Sequence, residues 1–401
     1  GPAGGAAAMA LARAGRAPLL LERDAAPREA VCGEFLGPDA AAALAALGLD
    51  IAALGAVRLH RLRLGAGRRE AVLDLPFPAW GLPRRVLDAA LRQWAAEAGA
   101  AVVTGARVTG VEAGRDGWGM RVRHPHPNRP PQAGEGVGSS PREAGGGREG
   151  GGAILQARSL LLATGKHPLR GHPRQPAPPP SLGLKLHLRG VALGAEVVLL
   201  PFPGGYAGLL PTPGPGGANL CIALHGAPGD AARDPAALLA RVAEGSALAA
   251  RLLRDASPAW PRPLAIGGVP YGFHAAASGP PGLYRLGDQL SVIPSFTGDG
   301  VAMALLSGLA AAEAVAAGRD ACAFHAAWHR RSAGPMRWAG LGAWAMRHLP
   351  GACVRGAAAL PQAARAIARR TRMPPEDQSM ESFSRSTIIF SYTTRSRTNA
   401  T

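Results

Sequence analysis

The sequence predicts an α/β protein. A Rossmann-like three-layer domain is interleaved with a second, sheet-based domain and followed by a helical C-terminus. Three observations predict this. The chain begins Gly1-Pro2-Ala3-Gly4-Gly5, continues in an Ala-rich helix former, and reaches Leu19-Leu20-Leu21-Glu22. A second segment, Leu283 to Gly300, has the layout strand, acid, Pro-containing turn, Gly-x-Gly, helix. Between the two, alternating strand patterns are interspersed with amphipathic helical ones.

The opening residues match the back half of a dinucleotide-binding βαβ unit. Gly1 and Gly4 stand as the second and third glycines of G-x-G-x-x-G, and Glu22 as the acid that holds a ribose hydroxyl. A pyrophosphate needs backbone N–H donors and the positive end of a helix beside it, and a side chain at Gly1 or Gly4 would block that approach. Ala6–Ala14 is a strong helix former, Gly15 fits a C-cap, and Pro18 leads into the buried strand. The first strand and first glycine of such a unit are absent. The sequence is therefore expected to be an N-terminal truncation that folds poorly or binds its dinucleotide weakly. The competing reading is a low-complexity Gly/Ala terminus.

Along the chain, residues 1–56 give the first part of the dinucleotide domain, with a second helix from Pro38 to Leu47. Residues 57–83 supply strands of the substrate domain. Residues 84–167 return to the dinucleotide domain through the amphipathic helix Arg84–Glu97, strands near 101–111 and 118–123, and the buried strand Ser159–Ala163. Within them, 124–152 is rich in Pro, Gly, Arg and Ser and is expected to be a disordered insertion. Residues 168–275 form the substrate domain, with sheet over 181–226 and a helix over 236–254. Residues 276–318 complete the dinucleotide domain and end in a helix over 301–318. Residues 319–372 read as an Arg-rich helical region. From Met373 the composition shifts to Ser, Thr and Phe, and 373–401 is expected to be a disordered tail.

The net charge of +17 suggests nucleic acid at first sight, but the basic residues are nearly all arginine and are scattered. Aromatics make up only 5%, so no stacking platform for single strands is evident, and no specific nucleic-acid partner is expected. Lys166 and Lys185 are the only lysines. The four cysteines, Cys32, Cys221, Cys322 and Cys353, lie far apart without C-x-x-C pairing. That argues against zinc or a disulfide framework and fits a reducing compartment. No metal site is expected: the histidines show no ligand spacing. No apolar stretch is long enough to span a bilayer. The expected location is the cytoplasm or an organellar stroma or matrix, any targeting segment having been lost with the N-terminus.

With Leu283–Gly300 in view, the chain resembles the flavoprotein superfamily of p-hydroxybenzoate hydroxylase and the geranylgeranyl reductases. The matching pieces are Gly1-Pro2-Ala3-Gly4, Glu22-Arg23, Cys32-Gly33-Glu34-Phe35-Leu36, Arg84-x-x-Leu87-Asp88, Ala163-Thr164-Gly165, Gly204-Gly205-Tyr206, and Gly287-Asp288 through Gly300. The resemblance implies FAD as cofactor. Gly1, Ala3 and Gly4 would lie at its pyrophosphate, and Glu22 and Arg23 at the adenosine ribose. Arg84 would lie near the pyrophosphate or ribityl chain, and Thr164 and Gly165 over the adenosine half. Asp288 would bind the ribityl or pyrophosphate region, and Pro294, Thr297, Gly298 and Gly300 would line the isoalloxazine. No second complete Rossmann motif is present, so NAD(P)H as electron donor would have no dedicated domain.

The catalytic residues are not fixed by the sequence. Cys32 and Glu34 sit in the loop expected near the flavin, Lys185 on a strand where it shares a face with His187, and Tyr206 after Gly204-Gly205. Lys185 and His187 would bind an acidic substrate if their face lines the cleft, and would be inert if it meets solvent. Three functions follow: a monooxygenase-like oxidoreductase acting on an apolar or aromatic small molecule, a flavin reductase of isoprenoid double bonds, or a basic non-enzymatic binder of nucleic acid or membrane. The region 328–372, with Trp338, Leu341 and Met346 beside Arg337 and Arg347, is expected to make peripheral membrane contact. The oligomeric state is not legible.

Overall fold

The computed structural model describes residues 1–115, 117–123, 153–174, 181–214, 216–225 and 233–374. The expected insertion 124–152 lies outside these residues, as does the expected tail beyond Pro374. The described residues form the α/β architecture expected from the sequence, in three bodies.

The first body begins with α1 (Pro2–Arg13), buried from Pro2 to Leu11. A helix this Gly- and Ala-rich presents so little side chain that neighbours approach on several sides. After β1 (Leu19–Glu22), β2 (Phe35–Leu36) and α2 (Pro38–Ala46), the chain leaves for the second body through β3 (Val57–Ala66) and β4 (Arg69–Gly81). It returns with α3 (Arg84–Glu97) and β5 (Ala101–Thr104). An antiparallel sheet of β6 (Arg107–Gly114), β7 (Gly117–Arg123) and β8 (Ala153–Ala157) follows, then β9 (Leu160–Leu162). β1 pairs parallel with β5.

The second body holds β10 (Ser181–Arg189), β11 (Glu196–Phe202), β12 (Gly205–Pro211) and β13 (Ala218–His225). Helices α4 (Pro235–Glu244) and α5 (Ala247–Leu252) and the short strands β14 (Ser257–Pro258) and β15 (Leu264–Gly267) complete it. The strand order is β14-β10-β13-β12-β11-β3-β4-β2, with β15 on β10. β4 runs to Gly81, within the strands expected over 57–83, and takes up β2 at its end. The helix expected over 236–254 is broken in two. Gly245 packs so close to Phe202 that a side chain there would collide, and Ser246 caps α5 by accepting the Ala249 N–H at 3.0 Å.

Alternation in β10 puts Leu184, Leu186 and Leu188 into a core with Leu238, Val242 and Leu248 of α4 and α5. Lys185 and His187 take the opposite face.

The chain then supplies β16 (Leu283–Arg285), parallel to β9, and α6 (Gly300–Ala316). The third body is α7 (Ala321–His348), α8 (Pro350–Ala359) and α9 (Pro361–Arg370). Pro350 and Pro361 each open a helix, the position where a missing N–H costs nothing. Gly308 of α6 packs against the Ala3 carbonyl, and a Cβ at Gly5 would sit 2.9 Å from the Leu91 side chain. α1 is thus wedged between α6 and α3.

Candidate active site

The start of α1, the ends of β1, β9 and β16, the turn before α6, and one face of the large sheet surround a single cavity of about 1980 Å³. It exceeds a typical small-ligand pocket, roughly 300–1,000 Å³, by enough to take a dinucleotide and a substrate together. The sequence-predicted residues Gly1, Ala3, Gly4, Glu22, Arg23, Arg84, Thr164, Gly165, Asp288, Thr297, Gly298 and Gly300 line it. Cys32, Glu34 and Tyr206 line it too, whereas Pro294 and Lys185 do not.

At the α1 end, Gly4 leaves room for helix on strand: a Cβ there would stand 3.3 Å from both the Ala163 and Leu20 side chains. The Gly1 backbone nitrogen lies 3.5 Å from the Glu22 carboxylate at the tip of β1. Arg84, at the head of α3, reaches toward Gly1, and Asp88 one turn on grips its guanidinium through contacts of 2.9–3.2 Å. Burial alone would lower the Arg84 pKa, but Asp88 outweighs it and holds the group charged. These are donors and a fixed cation around a helix N-terminus, the arrangement an anionic pyrophosphate requires.

At the β16 end, Asp288 pairs with Lys166 at 3.3 Å, and that carboxylate raises the Lys166 pKa. Arg174 donates to the Gly165, Lys166 and Asp288 carbonyls, and Gln289 to those of Gly165 and His167 at 2.7 and 2.8 Å. The two strand-end turns are thereby tied together. Thr164 closes its own turn by donating to the His167 carbonyl at 2.7 Å. Ahead of α6, Gly298 has φ +75° and meets the Phe35 ring, so both backbone and space demand glycine. The Thr297 hydroxyl donates to the Pro294 carbonyl at 3.1 Å, which gives Pro294 its place in the turn behind the lining. Asp299 is buried at the head of α6 and ion-paired with Arg372, the latter stacked 4.5 Å from the Phe77 ring centre. Burial pushes the Asp299 carboxyl up to about 7 against the pull of Arg372.

Between the two bodies lies a buried charge cluster. Lys185, wholly inaccessible, donates to Glu34 at 2.5 Å and Glu29 at 2.7 Å. Lys185 itself therefore meets neither cleft nor solvent, because the loop 29–34 covers it, whereas Gly183 on the same strand face lines the cavity and His187 is partly exposed. Glu34 also accepts the Arg84 N–H at 2.9 Å and faces His187 at 3.6 Å. It has φ +63°, the one non-glycine residue with positive φ among those described. Burial alone would raise its pKa, but the neighbouring His187 and the charge of Lys185 pull it below its usual value. Glu29, Glu34 and His187 bring three potential metal-ligand atoms within 4.8 Å of one another. Lys185 Nζ already occupies both carboxylates, so a cation is supplied from within the chain.

Elsewhere in the lining stands a chain of hydroxyls, Tyr206 to Ser295 to Tyr271, the second link 3.1 Å. Burial raises the pKa of both phenols, Tyr206 well above its usual value, so both keep their protons at neutral pH. Burial likewise pushes the nearby Cys221 thiol up to about 12. Sequence reading missed Tyr271, Ser295, Lys166, Asp299 and Arg372. Only Lys166 carried a signal, standing directly after Ala163-Thr164-Gly165 as one of two lysines.

The fold is shared with solved flavin-dependent and reductase-like proteins. Over 116 residues the chain is 38% identical to the menaquinone reductase of Mycobacterium tuberculosis and 35% identical to that of Mycolicibacterium smegmatis. The match spans 28% of this chain and 28% of each relative's length. A flavin-dependent brominase superposes with a TM-score of 0.70 at 18% identity, covering 97% of this chain and 96% of its own. A geranylgeranyl bacteriochlorophyll reductase-like protein from Thermoplasma acidophilum gives 0.65 at 18%, covering 93% and 91%. A halogenase solved with phloroglucinol and FAD gives 0.65 at 13%, covering 96% and 88%. No family model matches the chain. Among the described residues no helix is long and apolar enough to cross a membrane.

Proposed function

We propose that the chain binds FAD and reduces a long apolar substrate of the prenylated-quinone or isoprenoid kind. One observation carries the reading. From the Ser295–Gly300 turn the cavity continues along an apolar trough, with Leu62, Leu64, Leu73 and Phe77 on the sheet side and Ala364 and Ile367 on the helix side. Such a trough suits a hydrocarbon chain, while a small ring substrate would leave most of it unfilled. The name menaquinone reductase among the sequence relatives, and the geranylgeranyl-reductase-like fold neighbour, support the same reading.

In this reading Gly1, Gly4 and Arg84 hold the pyrophosphate, Glu22 the adenosine ribose, and Asp288 the ribityl chain. When bound and reduced, FAD supplies a hydride to the substrate. The chain's own residues do the rest. The Thr297–Gly300 turn and the N-terminus of α6 favour negative charge in front of them. The hydroxyl chain through Tyr206, Ser295 and Tyr271 keeps a proton at the cleft for the second atom of a saturated double bond. The apolar walls exclude water. NAD(P)H, entering the same cleft for want of a domain of its own, is the proposed electron donor.

The test is spectroscopic and then anaerobic. The purified protein is expected to show flavin absorbance, and Asp288→Ala to lose at least about 90% of it, equivalent to a tenfold or greater drop in affinity. Bound flavin reduced without oxygen is then mixed with a polyprenyl quinone. Reoxidation by the quinone supports the reductase. Reoxidation that waits for oxygen, with a hydroxylated product, overturns it in favour of the monooxygenase.

A further inference from the structure

Residues 321–372, which make up α7, α8 and α9, contain nine arginines and no aspartate or glutamate. They also carry most of the exposed large apolar side chains among the described residues. Leu341 and Trp344 are 61% and 57% exposed on one face of α7, Leu349 is 49% exposed before α8, and Leu360 and Ile367 are 64% and 45% exposed at α9. Arg337, Arg347, Arg355, Arg369 and Arg370 stand exposed among them. Leu360 and Ile367 are at once exposed and part of the cavity wall, with Met346 and Ala364 behind them. The apolar trough therefore opens on this surface.

We propose that the α7–α9 surface docks on an anionic lipid bilayer, with Leu341, Trp344, Leu349, Leu360 and Ile367 in the interface and the arginines on the headgroups. Charge complementarity selects this occupant. A surface that exposes Arg337, Arg347, Arg355, Arg369 and Arg370, on helices that carry no acid of their own, is drawn to anionic headgroups, and bulky apolar side chains interleaved with them gain from entering the acyl boundary. A second copy meeting the same face about a two-fold axis would oppose arginine to arginine. A nucleic acid would use the arginines but leave Leu341, Trp344 and Leu360 in water. Docking would set the trough mouth against the bilayer, so that a hydrocarbon substrate enters without crossing water. The docking argument rests on this surface alone and does not need the cofactor.

The test is co-sedimentation of the full chain with vesicles of phosphatidylcholine alone or with added phosphatidylglycerol, read by protein recovery. Binding to the anionic vesicles at least about tenfold tighter than to the neutral ones is expected. The pair Leu341→Ser with Trp344→Ser, and separately Arg369→Glu with Arg370→Glu, should each weaken it about tenfold or more while the far-UV circular dichroism is unchanged. Val72→Ser, which removes an exposed apolar side chain on β4, should leave it unchanged. Absence of binding to anionic vesicles, or equal binding by the variants, overturns the proposal. Equal affinity for duplex DNA would assign the surface to nucleic acid, and a dimer dispersed by the Leu341/Trp344 pair would assign it to a second copy. Either result overturns it as well. Flavin spectra are not part of the readout, so failure here leaves the cofactor reading untouched.

Discussion

Lys185 shows what a buried charge does when every neighbour is chosen for it. It joins the loop 29–34 to β10 through two carboxylates and holds Glu34 in a left-handed backbone conformation that costs roughly 1–3 kcal/mol by itself. Removing only the cation strands a buried anion. Lys185→Met is therefore expected to cost about 3–5 kcal/mol in a urea titration. Adding Glu34→Gln, which keeps an acceptor for the Arg84 N–H, should recover a large part of that. A single variant within about 1 kcal/mol of the parent would mean that the cluster is not holding the loop. Strand alternation indicated that Lys185 and His187 share a face, but not what covers it. Glu29 and Glu34 lie more than 150 positions away, and a loop's landing place leaves no periodic trace. What was readable lay in the composition. In a chain whose cations are overwhelmingly arginine, both lysines prove to be ion-paired to carboxylates.

Among the elements, the packing of α1 on α6 depends on one missing side chain. A Cβ at Gly308 would collide with the Ala3 carbonyl oxygen, a backbone atom that no rotamer change can move. Gly308→Ala gains up to about 1 kcal/mol of helix propensity but loses about 1–3 kcal/mol to overpacking, so a net loss is expected, with weaker flavin retention as α1 shifts. Gly340→Ala, at an open and exposed site in α7, supplies the contrast and should gain about 0.5–1 kcal/mol. Thermal unfolding of the two side by side decides the point. The elements themselves were largely legible. Leu19–Glu22 is a short apolar run ending at an acid, Leu283–Arg285 is a short strand followed three residues on by Asp288, and the β10 alternation is regular. The order of the nine strands was not, since the parallel joint of β11 to β3 brings together segments more than a hundred residues apart. Nor was the break at Gly245-Ser246, where helix-forming residues continue on both sides and tertiary contact with Phe202 makes the corner.

At the scale of the whole molecule, Arg372 is where the three bodies meet. It follows α9, pairs with Asp299 at the head of α6, donates to the Thr297 carbonyl at 2.6 Å, and stacks on Phe77 of β4. The next residue, Met373, donates its N–H to Asp39 at 2.8 Å. Arg372→Ala should loosen the seam, read as faster hydrogen exchange over 294–300, at a cost of about 2–4 kcal/mol near pH 8. The sign of the pH dependence follows from Asp299. Its folded pKa, about 7, lies above its unfolded value, so the neutral carboxyl is favoured in the fold at low pH and that favour fades as pH rises through 7. The variant's deficit should therefore shrink by pH 5, where the carboxyl is protonated and needs no cation. An equal deficit at both pH values would show that Arg372 acts through its stacking and carbonyl contacts alone. None of this was legible, because Arg372 stands in a run of arginines with nothing local to single it out.

That seam also has an order in time. Asp299 and Arg372 are 73 residues apart. At translation rates of roughly 5–20 residues per second, the carboxylate waits about 4–15 s for its guanidinium. During that interval the turn ahead of α6 has no clamp, and the apolar floor of the trough has no α8 or α9 to cover it. A newborn chain would thus have every strand synthesised while the junction of the bodies still lacks its clamp. Ligand capture and chaperone attention would then compete for the same exposed surface.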